Sequence, residues 1–364
     1  MSRPCDFNCH PAVVSRVMSV RSLALLVCVA TLSAKAQERT ADTISREVKG
    51  VFDRCARAVV KIHAVDEHSE LSGTGFFIDP TGTIFTAYSV GGEGTNFSVE
   101  FSGKKVRARQ LVADVRSGIA MLKIDAASPA LPVGKSEALQ VATPVVMIGY
   151  PLDLPETPSF GMVAGFDRKY LDRYLTTTHL RANLPTQRGE AGAPLLNMKG
   201  EVVGIVVSSL ENSSSCYALP IEAADKIRSD YMRFGEVRHG WIGAHLTEAA
   251  EEKGGSRAEV TEIVENTPAA NCGIQAGDIL LQVGHKAIRH PDDIIDASFF
   301  LTAGDAVPIT VMRGDEKLTF TVQAEFHPTS QHLQMLQHPP TWAEPTLNQA
   351  LLPLQLDKAP DRTP

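Results

Sequence analysis

Short apolar runs separated by Gly, Pro and Asp turns fill the chain from residue 59 to residue 221. Val59–Val65, Thr74–Ile78, Ile84–Thr86, Phe97–Phe101, Val106–Ala113 and Ile119–Ile124 form a first set. Pro144–Ile148, Phe160–Phe166, Leu175–Thr178, Ala193–Leu196, Val202–Val207 and Tyr217–Leu219 form a second. Many short strands with turns at intervals of about 8–12 residues predict a mainly β protein, a sandwich or a barrel. Periodicity alone does not separate the two. Ahead of the strands, Ile44, Val48, Val51, Phe52 and Cys55 recur at helical intervals behind the capping residue Asp42, which predicts an amphipathic helix within 42–58. Behind them, a polar helical stretch, Glu222–Phe234, leads to a second module with a helix over Pro291–Leu301 and strands over Val307–Arg313 and Lys317–Val322. Past Glu325 the chain is rich in Pro, Gln, His and Thr without any period, which predicts a tail with no packed core.

The segment Gly189-Glu-Ala-Gly-Ala-Pro-Leu-Leu-Asn197, followed by Gly200-Glu201 and the apolar run from Val202, resembles the nucleophile loop of trypsin-like proteases of the HtrA/Deg family, which reads roughly G-N-S-G-G-P-L-L-N. Gly73-Thr-Gly-Phe-Phe-Ile-Asp-Pro80 and Ile84-Phe-Thr-Ala-Tyr-Ser-Val90 resemble the stretch that carries the family's general base. Asp114-Val-Arg-Ser-Gly-Ile-Ala-Met-Leu-Lys123 resembles the stretch that carries its orienting aspartate. Position by position, the resemblance puts Ala191 where the nucleophile stands, Ser89 at the base and Gly118 at the orienter. A methyl group has no lone pair with which to form an acyl-enzyme. An unassisted hydroxyl does not accept protons near neutral pH. Gly189 and Glu190 occupy the oxyanion loop, and Glu190, in place of the family's asparagine, is expected to add a negative charge beside that site. One engineered replacement would account for one such loss, but not for three at separated motifs. The catalytic positions are therefore expected to be degenerate.

The second module opens Arg238-His-Gly-Trp-Ile-Gly-Ala244 and continues with Val264-Glu-Asn-Thr-Pro-Ala-Ala270 and Gly273-Ile-Gln-Ala-Gly-Asp-Ile-Leu280, which resembles the PDZ domain of the same family. The resemblance implies a chymotrypsin-like pair of six-stranded β-barrels followed by a PDZ domain. Domain limits follow: 1–36 a signal peptide, 37–58 an N-terminal helical segment, 59–221 the double barrel, 222–237 a linker helix, 238–325 the PDZ domain and 326–364 the tail. The carboxylate-binding loop is expected at Trp241, Ile242, Gly243 and Ala244, where backbone N–H groups make an anion site without a charged side chain. Ala244, Leu246, Ile294, Ile295 and Phe299 are candidate groove walls. Family members commonly form trimers through the segment before the first strand.

The formal net charge is −7. Residues 1–36 hold four basic residues against one acidic, which leaves the remainder ten charges negative and argues against nucleic-acid binding. A basic flank, an apolar core from Leu23 and the site Ala34-Lys-Ala36 before Gln37 predict a cleaved secretory signal and a periplasmic or secreted protein, the alternative being a retained membrane anchor. Met18 is an alternative start. Cys55, Cys216 and Cys272 remain after cleavage, an odd number at wide spacing, and read as small buried thiols rather than a disulfide framework. No His/Cys pair has zinc spacing, so neither metal nor cofactor is expected. A rebuilt active site would draw on His63, His68, His179, Ser208, Ser209 or Ser213–Ser215, and no spacing supports one. The expected function is an inactive HtrA-like protein that binds polypeptides and protein C-termini through its PDZ domain. The alternatives are an endopeptidase with displaced residues and a structural subunit of a homo- or hetero-oligomer.

Overall fold

The computed structural model describes residues 42–326 apart from 66–68, 93, 168–176, 210–214 and 251–255. The signal segment, the tail, His68, Ser213 and Ser214 lie outside the described residues. Helix α1 runs over 42–55 and passes through a 3-10 turn, Ala56–Ala58, into β1, Val59–Val65. Its apolar stripe supplies Val51 and Cys55 to the core, which also takes residues of both halves of the β region.

The first sheet follows the order β5-β4-β1-β2-β3-β7-β6. Its strands are β2, Glu70–Phe77; β3, Thr83–Ala87; β4, Thr95–Phe101; β5, Lys104–Arg107; β6, Arg109–Asp114; and β7, Ile119–Lys123. It has seven strands, not six, because the expected strand Val106–Ala113 changes partner at Ala108: residues up to Ala108, whose N–H donates to Phe97 O at 2.9 Å, follow β4, and those from Arg109 pair with β7. The second group closes into a barrel, β10-β13-β12-β11-β8-β9. It comprises β8, Pro144–Gly149; β9, Thr157–Asp167; β10, His179–Ala182; β11, Pro194–Leu196; β12, Val202–Ser209; and β13, Cys216–Pro220. Of the expected strand Leu175–Thr178, residues 175 and 176 lie outside the described residues, and Thr177 and Thr178 precede β10 without being part of a strand. Thr177 and Thr178 spend their polar groups elsewhere, with Thr178 N donating to Asp296 Oδ1 at 2.6 Å. Cys55 and Cys216 are buried and Cys272 is half-buried, all as free thiols. Burial pushes the Cys216 thiol up to about 12.

Helix α3, Ile221–Phe234, buries Ile221, Ala223, Ala224 and Ile227 against the same core as α1 and caps at Gly235, a left-handed residue. Beyond it lie β14, Gly240–Trp241; β15, Ala244–Ala250; β16, Ser256–Ile263; α4, Pro268–Cys272; β17, Ile279–Val283; β18, Lys286–Ala287; α5, Asp293–Phe299; β19, Ala306–Arg313; β20, Glu316–Gln323; and β21, Glu325–Phe326. The sheet order β15-β16-β17-β19-β20 leaves β15 on an edge.

Buried polar links fasten the second module to the first. On α3, Lys226 Nζ lies 2.7 Å from Asp230 Oδ2, and the same carboxylate accepts Arg238 N and Thr302 Oγ1. Across the seam His239 Nε2 meets Asp114 Oδ1 at 2.9 Å, both side chains being buried. Burial works to raise Asp114, but His239 and the Ser117 N–H outweigh it and hold the carboxyl well below the usual range. Thr177 and Thr178 hydroxyls donate to Asp296 of α5.

Candidate functional site

The nucleophile loop is two reverse turns in succession. Glu190 N donates to Gln187 O at 3.1 Å and Ala193 N to Glu190 O at 3.0 Å. Gly189 and Gly192 take the third places with φ of 98° and 87°, the type II arrangement. Arg188 O accepts Leu152 N at 2.7 Å and Glu190 O is held by Ala193 N. Because a trans peptide points its C=O and N–H in opposite directions, the N–H groups of Gly189 and Ala191 face away from those partners.

Thr74 of β2 wires this loop to the first sheet. Its N–H donates to Ala191 O at 2.9 Å and its hydroxyl to Gly189 O at 2.6 Å. The same hydroxyl accepts Tyr150 N at 3.1 Å, and its carbonyl accepts Thr86 Oγ1 at 2.7 Å. Gly192 is squeezed between: a Cβ there would sit 2.1 Å from Thr74 O and 2.7 Å from Ala87 N. Gly192→Ala is therefore expected to lower stability by about 1–3 kcal/mol through overpacking and a disfavoured φ, read as a drop in the urea midpoint. An unchanged midpoint would show that the loop relaxes freely.

Ala191, Ser89 and Gly118 sit on neighbouring segments of backbone. Ala191 is half-buried and its methyl packs on the core that includes Ala87 and Val90. Ser89 is exposed on a single helical turn, α2, Tyr88–Gly91. Tyr88 N donates to Gly118 O at 2.7 Å, which docks the β6–β7 turn beside Ser89. Gly118 itself is left-handed, at φ 75°. Glu190 departs from expectation. It is 2% exposed, its Oε2 accepts Gln187 N at 2.7 Å, and burial pushes its carboxyl up against the pull of that N–H. The side chain braces the loop from within.

Among the described residues, the histidines do not complete a site. His179 is buried with Nδ1 3.0 Å from Thr177 O and Nε2 without a partner. His63 Nε2, on β1, lies 3.5 Å from Glu100 Oε2 on β4. His239 gives its Nε2 to Asp114 and leaves Nδ1 unpaired. None of these bonds reaches a hydroxyl. No group of three or more His, Cys, Asp or Glu among the described residues has metal-holding geometry.

In the PDZ module, Ala269 N donates to Ile242 O and Val264 N to Gly243 O, each at 2.9 Å. By the same trans-peptide geometry the N–H groups of Gly243 and Ala244 turn the other way, toward the free edge of β15. Trp241 is half-buried on β14. Ile242, Ala244, Leu246 and Ile294 are half-buried against the PDZ core, and Ile295 is half-buried on α5. Phe299 is the exception among the expected walls. It is fully buried in the core shared with α1 and α3, its ring 5.8 Å from that of His239 and 5.9 Å from Lys226 Nζ. The last turn of α5 faces the linker helix, so this ring holds the modules together. Sequence reasoning missed that seam. Asp114 and His239 each sit in a recognised motif, but nothing local pairs residues so far apart.

Residues 73–205 match the model of a trypsin-like peptidase domain, and residues 240–324 match that of a PDZ domain. The chain is thus a trypsin-like peptidase domain joined to a PDZ domain. It is 28% identical over 302 residues to the serine endoprotease DegS of Escherichia coli K12, a match covering 76% of this chain and 85% of DegS. It is also 28% identical over 272 residues to a probable periplasmic serine endoprotease DegP-like of Halomonas elongata, covering 71% of this chain but only 57% of that relative. The fold is shared with the HtrA-type protease AlgW solved with a tripeptide, at a TM-score of 0.66, 20% identity and coverage of 77% and 97% of the two chains. It is shared too with a serine endoprotease from Yersinia pestis, at 0.58, 24% identity and coverage of 77% and 98%. The chain belongs to the HtrA/Deg family.

Proposed function

We propose that this chain is a catalytically silent HtrA-type protein that holds polypeptides, protein C-termini foremost, outside the cytoplasm. The observation that carries the reading is the coincidence of Ser89, Gly118 and Ala191 at the base, orienter and nucleophile positions. It is supported by the absence of a His–hydroxyl bond at His63, His179 and His239. The peptide groove beside this silent cleft keeps its free strand edge and its two outward N–H groups. Relatives named periplasmic proteases and the basic-apolar N-terminal segment support export, with cleavage near Ala36-Gln37. A chaperone-like or regulatory place in extracytoplasmic protein quality control, alone or in an oligomer with an active relative, suits such a holder.

The test is direct. The purified protein is expected not to label with a serine-directed fluorophosphonate and not to degrade unfolded casein above a buffer control. Labelling that a peptide substrate competes away would refute silence.

A further inference from the structure

The PDZ groove carries a charge pattern that the fold alone does not require. Residues 240–324 contain thirteen Asp and Glu against six Lys and Arg, a net −7 equal to that of the whole chain. Several of these carboxylates are already engaged. Asp278 pairs with Arg313, Asp305 with Arg233, and Asp296 takes Thr178 and lies 3.8 Å from Lys286. Asp293 accepts the N–H groups of Arg289 and His290.

Glu248, Glu259 and Glu262 have no ion pair among the described residues, and all three lie on β15 or its neighbour β16. Arg257 is the single Lys or Arg on those strands, across from Ala249 at their far end.

Strand alternation assigns each carboxylate a place. Opposed residues of an antiparallel pair share a face. Leu246 opposes buried Val260 and Glu248 opposes buried Ala258, so Ala244, Leu246 and Glu248 share the core-side face, with Glu248 outermost and exposed. His245 opposes Glu262 and Thr247 opposes Glu259 on the other face. A peptide added antiparallel to the free edge of β15, its carboxylate on the Gly243 and Ala244 N–H groups, runs out along this pattern. Its last residue and the residue two before it lie over Ala244 and Leu246. The residue four before the end reaches Glu248. The residues one and three before the end lie on the face of Glu262 and Glu259.

We propose that the groove selects polypeptide C-termini that are apolar at the last position and the position two before it, and basic at positions one, three and four before the end. This rests on the peptide-holding function proposed above and names the ligand class of that groove. Apolar side chains fill the half-buried floor, while lysines or arginines meet three carboxylates that have no ion pair among the described residues. Each exposed pair contributes modestly and is screened by salt, so together they set preference and the apolar floor with the carboxylate nest sets the site.

The experiment is fluorescence anisotropy of the full chain with three labelled peptides of one apolar frame: lysine at the three positions, glutamate at the same positions, and the lysine peptide amidated at its C-terminus. The lysine peptide is expected to bind roughly tenfold more tightly than the glutamate peptide at low salt, the gap closing toward about 1 M salt, where screening is short-ranged. The exposed or half-exposed double variant Glu259→Lys with Glu262→Lys is expected to reverse the preference with an unchanged melting temperature. Equal affinity of the lysine and glutamate peptides, or a ratio unmoved by the double variant, overturns the selectivity. Undiminished binding of the amidated peptide overturns the carboxylate-anchored groove itself, and the selectivity with it.

Discussion

Ala191→Ser is expected to leave casein hydrolysis at background. A serine hydroxyl at 191 needs a base to take its proton and a group to orient that base, and the neighbouring positions hold Ser89 and Gly118. In well-studied serine proteases the triad acts as a unit worth on the order of 10⁶ in rate, and restoring one member of three recovers almost none of it. Ser89→His, Gly118→Asp and Ala191→Ser together supply all three roles. Only this combination is expected to raise turnover above background. The weakest of the three is Gly118, whose φ of 75° an aspartate tolerates at a cost of about 1 kcal/mol or more. The measurement is the rate of casein hydrolysis by the single and triple variants beside the parent. Turnover by Ala191→Ser alone would reveal a base within reach of residue 191 and end the reading of the cleft as silent.

A second large effect is expected at Asp230. Its carboxylate neutralises Lys226 and accepts Arg238 N and Thr302 Oγ1, with both charged side chains almost wholly buried. Burial pulls the Lys226 amine below its ordinary range and the Asp230 carboxylate opposes that pull. Asp230→Ala strands the ammonium beneath the Phe299 ring and deprives two donors of their acceptor. Removing one partner of a buried pair costs about 3–5 kcal/mol, so the urea midpoint should fall sharply. Lys226→Met with Asp230→Asn removes the charge while keeping one oxygen for Arg238 N, and the Thr302 hydroxyl can turn to accept from the new amide NH2, so the pair of changes should recover most of the loss. Equal losses in the two variants would assign the effect to the hydrogen bonds and not to the ion pair.

What the sequence disclosed, and what it hid, divides along a physical line. The strands were legible because β patterning is local: β1, β7, β8 and β12 begin and end within two residues of their apolar runs. Ser89, Gly118 and Ala191 stood out in the sequence because each lies inside a motif whose flanking residues resemble the family's. Failures came where a distant partner decided the outcome. One apolar run became β5 and β6 because its first half pairs with β4 and its second half with β7. Thr177 and Thr178 left the strand pattern because Asp296 of the other module claimed them. The burial of Glu190 was not legible because its residue type was visible but its rotamer was not. Phe299 has groove-wall spacing on α5, yet only the packing of α5 on the linker helix shows which way its ring goes.

Thr74 has a wider meaning. All four of its bonds run to main-chain atoms or to the Thr86 hydroxyl, and none passes through the side chain at residue 191. The floor of the cleft is thus held up by masonry separate from its tools. Stripping the tools leaves the building standing, so shape and reactivity in this architecture can be lost or regained independently of each other.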